Sequence, residues 1–104
     1  MSAIGTVDLG DSVTLTATCH DKNGIATTPA SAPTYTIYAH DLSAAMSNGT
    51  GTGSAVTSAV TGWYYATHSI TAANGYAAGK VYPVLWSWAD GSTTYTHENR
   101  FHVI

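Results

Sequence analysis

The stretch K-V-Y-P-V-L-W-S-W-A-D-G-S-T-T-Y-T-H-E-N-R-F-H-V-I, Lys80 to Ile104, decides the fold, because it reads as a long β-hairpin holding most of the large side chains. Asp90-Gly91 is expected to form a two-residue type I′ turn, in which both central residues take φ > 0. Folding the arms about it predicts Trp88 opposite Thr93, Trp86 opposite Tyr95, Val84 opposite His97 and Tyr82 opposite Asn99. Side chains alternate faces along a strand. Tyr82, Val84, Trp86 and Trp88 therefore share one face with Tyr95, Phe101 and Val103. Val81, Pro83, Leu85 and Ser87 share the other with Thr94, Thr96, Glu98 and Arg100. One aromatic face and one charged face make a sheet with one side on a core and the other in water.

The remaining chain suits the same class. Its 104 residues are 44% hydrophobic but only 9% charged, enough for one domain that buries roughly 60–70% of its unfolded surface. Thr, Ser, Ala and Gly fill the gap, Glu occurs only at Glu98, and helix formers are scarce. With a net charge of -3, and Lys22, Lys80 and Arg100 scattered, there is no basic track for nucleic acid and no polybasic patch for a membrane. No apolar run approaches the roughly 20 residues of a spanning helix. The chain starts at Met1 with no basic-then-apolar leader, so a complete product without a secretory signal is expected. Cys19 is the single cysteine, so packing alone must hold the fold.

In chain order, Met1 to Leu9 is an extended lead-in or edge strand. Ser12 to His20 alternates, with Val13, Leu15, Ala17 and Cys19 on one side and Thr14, Thr16 and Thr18 on the other. Asp21 to Gly24 turns, and Ile25 to Ala32 is a loop into a strand at Thr34–Ala39. Leu42 to Met46 is either a helical turn or a short edge segment. The low-complexity run S-N-G-T-G-T-G, Ser47 to Gly53, is expected to be mobile. Ala55 to Val60 is a weak strand, and Trp63 to Ile70 a strong one with Tyr64, Ala66, His68 and Ile70 inward. Asn74-Gly75 either closes a hairpin or belongs to a loop crossing between sheets, and the poverty of β-branched residues favours the crossing. Pro83 sits mid-strand, which requires a bulge or a neighbouring strand that ends early. About seven short strands predict an all-β, two-sheet antiparallel sandwich over residues 1–104.

The candidates for chemistry are weak. His97-Glu98 with His102 fails the helical zinc pattern, because the spacing is five and alternation turns the two rings to opposite faces. His97 is expected at the core edge, hydrogen-bonded to a neighbour. His20-Asp21 and His40-Asp41 either meet at one end of the sandwich as a cation site or serve as turn residues, and His68 and His97 share inward faces. Cys19 is expected to be buried and inert. No serine sits in a Gly-x-Ser-x-Gly elbow, and the six acidic residues offer no paired dyad. No catalytic, metal or cofactor-binding residue is assigned. The aromatics carry more: Trp63 and Tyr65 face away from Tyr64, as interface anchors, as a sugar-stacking platform, or beneath a covering loop.

Three stretches carry a resemblance: G-D-S-V-T-L-T-A-T-C-H-D-K-N-G (Gly10–Gly24), G-W-Y-Y-A-T-H-S-I-T-A (Gly62–Ala72) and G-Y-A-A-G-K-V-Y-P-V-L-W-S-W-A-D-G (Gly75–Gly91). Together they resemble disulfide-free immunoglobulin-like domains, and in particular the decoration or fibre-type accessory proteins of tailed-bacteriophage virions. That resemblance implies an immunoglobulin-like sandwich and a non-enzymatic structural role in the virion, assembled in the host cytoplasm. The implied partner is the major capsid protein or a tail protein, with self-association a further expectation. It brings no catalytic residues and no cofactor. The rival expectation is a carbohydrate-binding or host-adhesion module using Trp63 and Tyr65.

Overall fold

The computed structural model describes residues 2–56 and 61–104. Its strands are β1 (Ser2–Val7), β2 (Ser12–Thr18), β3 (Thr34–Tyr38), β4 (Ala45–Thr52), β5 (Ser54–Ala55), β6 (Trp63–Ser69), β7 (Val81–Asp90) and β8 (Thr93–Val103). They form a five-stranded sheet in the order β1-β8-β7-β3-β4 and a three-stranded sheet in the order β2-β6-β5. The all-antiparallel expectation is corrected here: the larger sheet is mixed, because β1 runs parallel to β8, and the described residues hold eight strands against the roughly seven expected. Among the described residues the one helical element is a 3-10 turn at Ala72–Asn74. It lies in the connection from β6 to β7, which crosses between sheets as the composition predicted.

The core lies between the sheets and follows the alternation. Leu15, Ala17, Tyr64 and Ile70 from one side meet Ile37, Tyr82, Val84, Trp86, Phe101 and Val103 from the other. Polar ties cross the same space. Trp88 Nε1 donates to the His20 carbonyl at 3.1 Å, and the buried Asn99 donates through Nδ2 to the Thr16 carbonyl at 2.9 Å. Odd-numbered residues of β2 face β6 with their backbone groups, as Asp11–Ile70 and Cys19–Gly62 do beyond its ends. The Thr16 carbonyl therefore points to the free edge of β2, and Asn99 covers it there.

The hairpin corrects the predicted register. Asp90 pairs with Thr93, Trp88 with Tyr95, Trp86 with His97, Val84 with Asn99 and Tyr82 with Phe101. The turn is Gly91-Ser92, with Gly91 at φ 62° and no positive φ at Asp90 or Ser92, so only the first central residue needs the left-handed region. The slip is two residues, which exchanges partners but keeps every side chain on its predicted face.

Ser47 to Gly53 is a second correction, since most of it is β4. Its glycines serve close approach. A Cβ on Gly51 would lie 2.5 Å from the Tyr35 hydroxyl, and one on Gly53, just past the strand, 2.8 Å from the Trp86 ring. Small residues there let the strand lie down on large rings. Leu42 to Ala44 bend and lead into β4, whose first residues are Ala45 and Met46 at the edge of the sheet, so of the two alternatives the edge segment is found and the helical turn is not. Pro83 is accommodated because the β3–β7 ladder stops at Ile37–Val84, one residue short of it. Of the weak strand expected over Ala55 to Val60, Ala55 is in β5, and residues 57–60 lie outside the described residues.

Candidate functional site

The outer face of the three-stranded sheet is built by alternation in β2 and β6. With Val13, Leu15 and Ala17 buried, Ser12, Thr14, Thr16 and Thr18 turn outward. With Tyr64 buried, Trp63, Tyr65, Thr67 and Ser69 turn outward beside them. The register sets Thr18 against Trp63, Thr16 against Tyr65, Thr14 against Thr67 and Ser12 against Ser69. Trp63 is 48% and Tyr65 42% exposed, so each ring presents about half its surface. None of these eight residues is charged. A shallow hollow of about 170 Å³ beside Trp63 is bordered by Thr16, Thr18 and Val56.

Gly62 fixes where this face begins. Its φ is 83°, and a Cβ there would meet the Cys19 carbonyl at 2.6 Å. Cys19 N–H donates to the Gly62 carbonyl at 2.7 Å. The chain thus enters β6 hard against the end of β2, with Trp63 as the first outward residue.

The residues singled out for chemistry are dispersed. His20 and His40 do not meet: the His20 ring packs on Trp88 and that of His40 on Tyr82, six residues apart on β7, roughly 20 Å at strand rise. His20 pairs with Ala26 in an isolated bridge flanking the Asp21–Ile25 turn, and its Nδ1 donates to the Asp21 carbonyl at 2.9 Å. The Asp41 pKa is lowered, first by hydrogen bonding to the Ser43 side chain and then by Ser43 N–H, which donates to Asp41 Oδ1 at 3.1 Å. His97 lies half-buried on the inner face beside Trp86, and burial lowers its pKa. His68 sits 3.0 Å, through Nδ1, from the Tyr35 hydroxyl, and burial lowers its pKa too. Cys19 is buried, which pushes its thiol up to about 11, far from a nucleophilic thiolate at neutral pH. Among the described residues no three His, Cys, Asp or Glu side chains gather as a metal set.

A second surface was not legible in the sequence. Leu42, in the β3–β4 connection, is 69% exposed and has φ 63°. It overhangs the outer face of the five-stranded sheet, where it borders two hollows with Pro83 and Glu98. The available signal was Asp41 just before it, a residue that closes turns through its own side chain.

No family model, curated protein or solved structure matches the chain.

Proposed function

We propose that this chain is an immunoglobulin-like, non-enzymatic accessory protein of a tailed-phage virion, attached to the capsid or tail by protein–protein contacts. The fold part of this reading is supported by strand order. A larger sheet that places the first strand beside the last, then β7, β3 and β4, faces a smaller β2-β6-β5 sheet, much as the G-F-C-C′ strands of variable-type domains face B-E-D. The observation that carries the role is the uncharged β2–β6 face. Two half-exposed rings among hydroxyl side chains offer large anchors that lose little charge solvation when covered.

Mass spectrometry and imaging of purified particles test it. Hundreds of copies per particle identify a lattice-decorating protein, and a dozen or fewer a tail or fibre attachment. Absence from particles overturns the virion reading. The second reading, a carbohydrate-binding or adhesion module, is favoured by Trp63 and Tyr65 lying two residues apart on one face with hydroxyls around them. A glycan array separates the two readings.

A further inference from the structure

We propose that the outer face of the five-stranded sheet is a homodimer interface, occupied by a second copy of this chain. The inference does not rest on the virion reading. It begins with Leu42, a bulky side chain held at positive φ and 69% exposed. The turn that holds it is tied twice: Leu42 N–H donates to the Ala39 carbonyl at 2.9 Å, and Ser43 N–H donates to Asp41 Oδ1 at 3.1 Å. Strained backbone of this kind persists where the surroundings over-determine it, and it clusters at sites of binding.

Beside this knob lies its own kind of hole. Two adjoining hollows of about 230 and 190 Å³ run along the sheet, with Val81 and Arg100 at one and Tyr38 and Leu85 at the other. A two-fold contact needs both shapes on one surface, since each copy supplies both. The charges fit the same symmetry. Glu98 and Arg100 stand two apart on the outward side of β8, opposite Leu85 and Pro83. A two-fold axis crossing β8 at right angles near Asn99 sets Glu98 of each copy against Arg100 of the other. A partner of one charge sign would be repelled by one of the two groups, whereas an inverted copy satisfies both.

The extent also suits a dimer. Five strands at about 4.8 Å and a hairpin of ten pairs at about 3.4 Å give a face of at most roughly 800 Å², the area each partner buries in an ordinary specific interface.

Sedimentation velocity on the full chain, from micromolar to near-millimolar concentration, tests the proposal. The wild type should show a monomer–dimer equilibrium. Arg100→Glu should weaken it by about tenfold or more, and adding Glu98→Arg should restore it, because the swapped pair keeps the symmetry. Leu42→Asn should also weaken it about tenfold without lowering the melting temperature at concentrations where the wild type is monomeric, since Asn accepts the left-handed backbone. A wild type that stays monomeric throughout overturns the proposal. So does a dimer that neither Leu42→Asn nor Arg100→Glu loosens, or one that the charge swap fails to restore.

Discussion

Trp86 and His68 show what single side chains do in this core. Trp86 is fully buried, packed on Tyr35 at 5.1 Å between ring centroids and close against Gly53. Trp86→Ala should cost about 3–5 kcal/mol in chemical denaturation, the range for deleting a buried aromatic ring, enough to unfold a domain of ordinary stability. His68 makes stability depend on pH. Burial holds its folded pKa below the ordinary 6.5, so the unfolded chain takes up the proton first. The stabilisation is complete above that ordinary value and is lost as pH falls from it towards the lowered folded value. His97 shifts in the same direction and from the same cause. The urea midpoint should therefore fall as pH drops from neutral through the ordinary histidine value of 6.5. His68→Gln, which keeps a hydrogen-bonding group for Tyr35, should flatten that fall, and an unchanged pH profile would refute the assignment.

The β7–β8 hairpin and β4 show how much of the elements was legible. Facing was fixed by alternation alone, which is why Tyr82, Val84, Trp86, Trp88 and Phe101 are buried as expected even though their cross-strand partners differ. Register depends on which two residues make the turn. The D-G pair suggested both, while the chain uses Gly91 and Ser92. Gly91→Ala should cost on the order of 1 kcal/mol from positive-φ strain alone, because a Cβ there meets nothing within 4 Å. Asp90→Ala should cost less, and equal losses in thermal melts would favour the turn with both residues at positive φ. In β4 the glycines looked like a flexible tract, because local composition does not reveal the ring lying above. Gly51→Ala drives a methyl into Tyr35 and should cost about 1–3 kcal/mol as overpacking. An innocuous Gly51→Ala would mean that β4 stands off the ring.

At the scale of the molecule, the sandwich leaves two outer faces of different character. The smaller sheet is uncharged and carries Trp63 and Tyr65, while the larger carries Glu98, Arg100 and the Leu42 overhang. The exposure of Trp63 and Tyr65 could be read from alternation, since Tyr64 had to be inside. The Leu42 surface could not, because it is assembled from β3, β7 and β8 with a turn whose backbone only the folded chain defines. Trp63→Ala should change folding stability by no more than about 0.5 kcal/mol and, under the proposed virion role, weaken attachment to particles. If it melts the isolated domain, the ring belongs to the fold and not to an interface.

The parallel pairing of β1 with β8 has a mechanical consequence. Ser2 lies beside Asn99 and Val7 beside Val103, so the chain leaves the pair from opposite ends. Tension between the first and last strands therefore pulls them along one another, and the bonds of the ladder share the force. Strands drawn apart from a common end, like the arms of the β7–β8 hairpin, give way bond by bond. A molecule gripped from both sides would thus hold as a clamp, yielding abruptly at high force instead of peeling open.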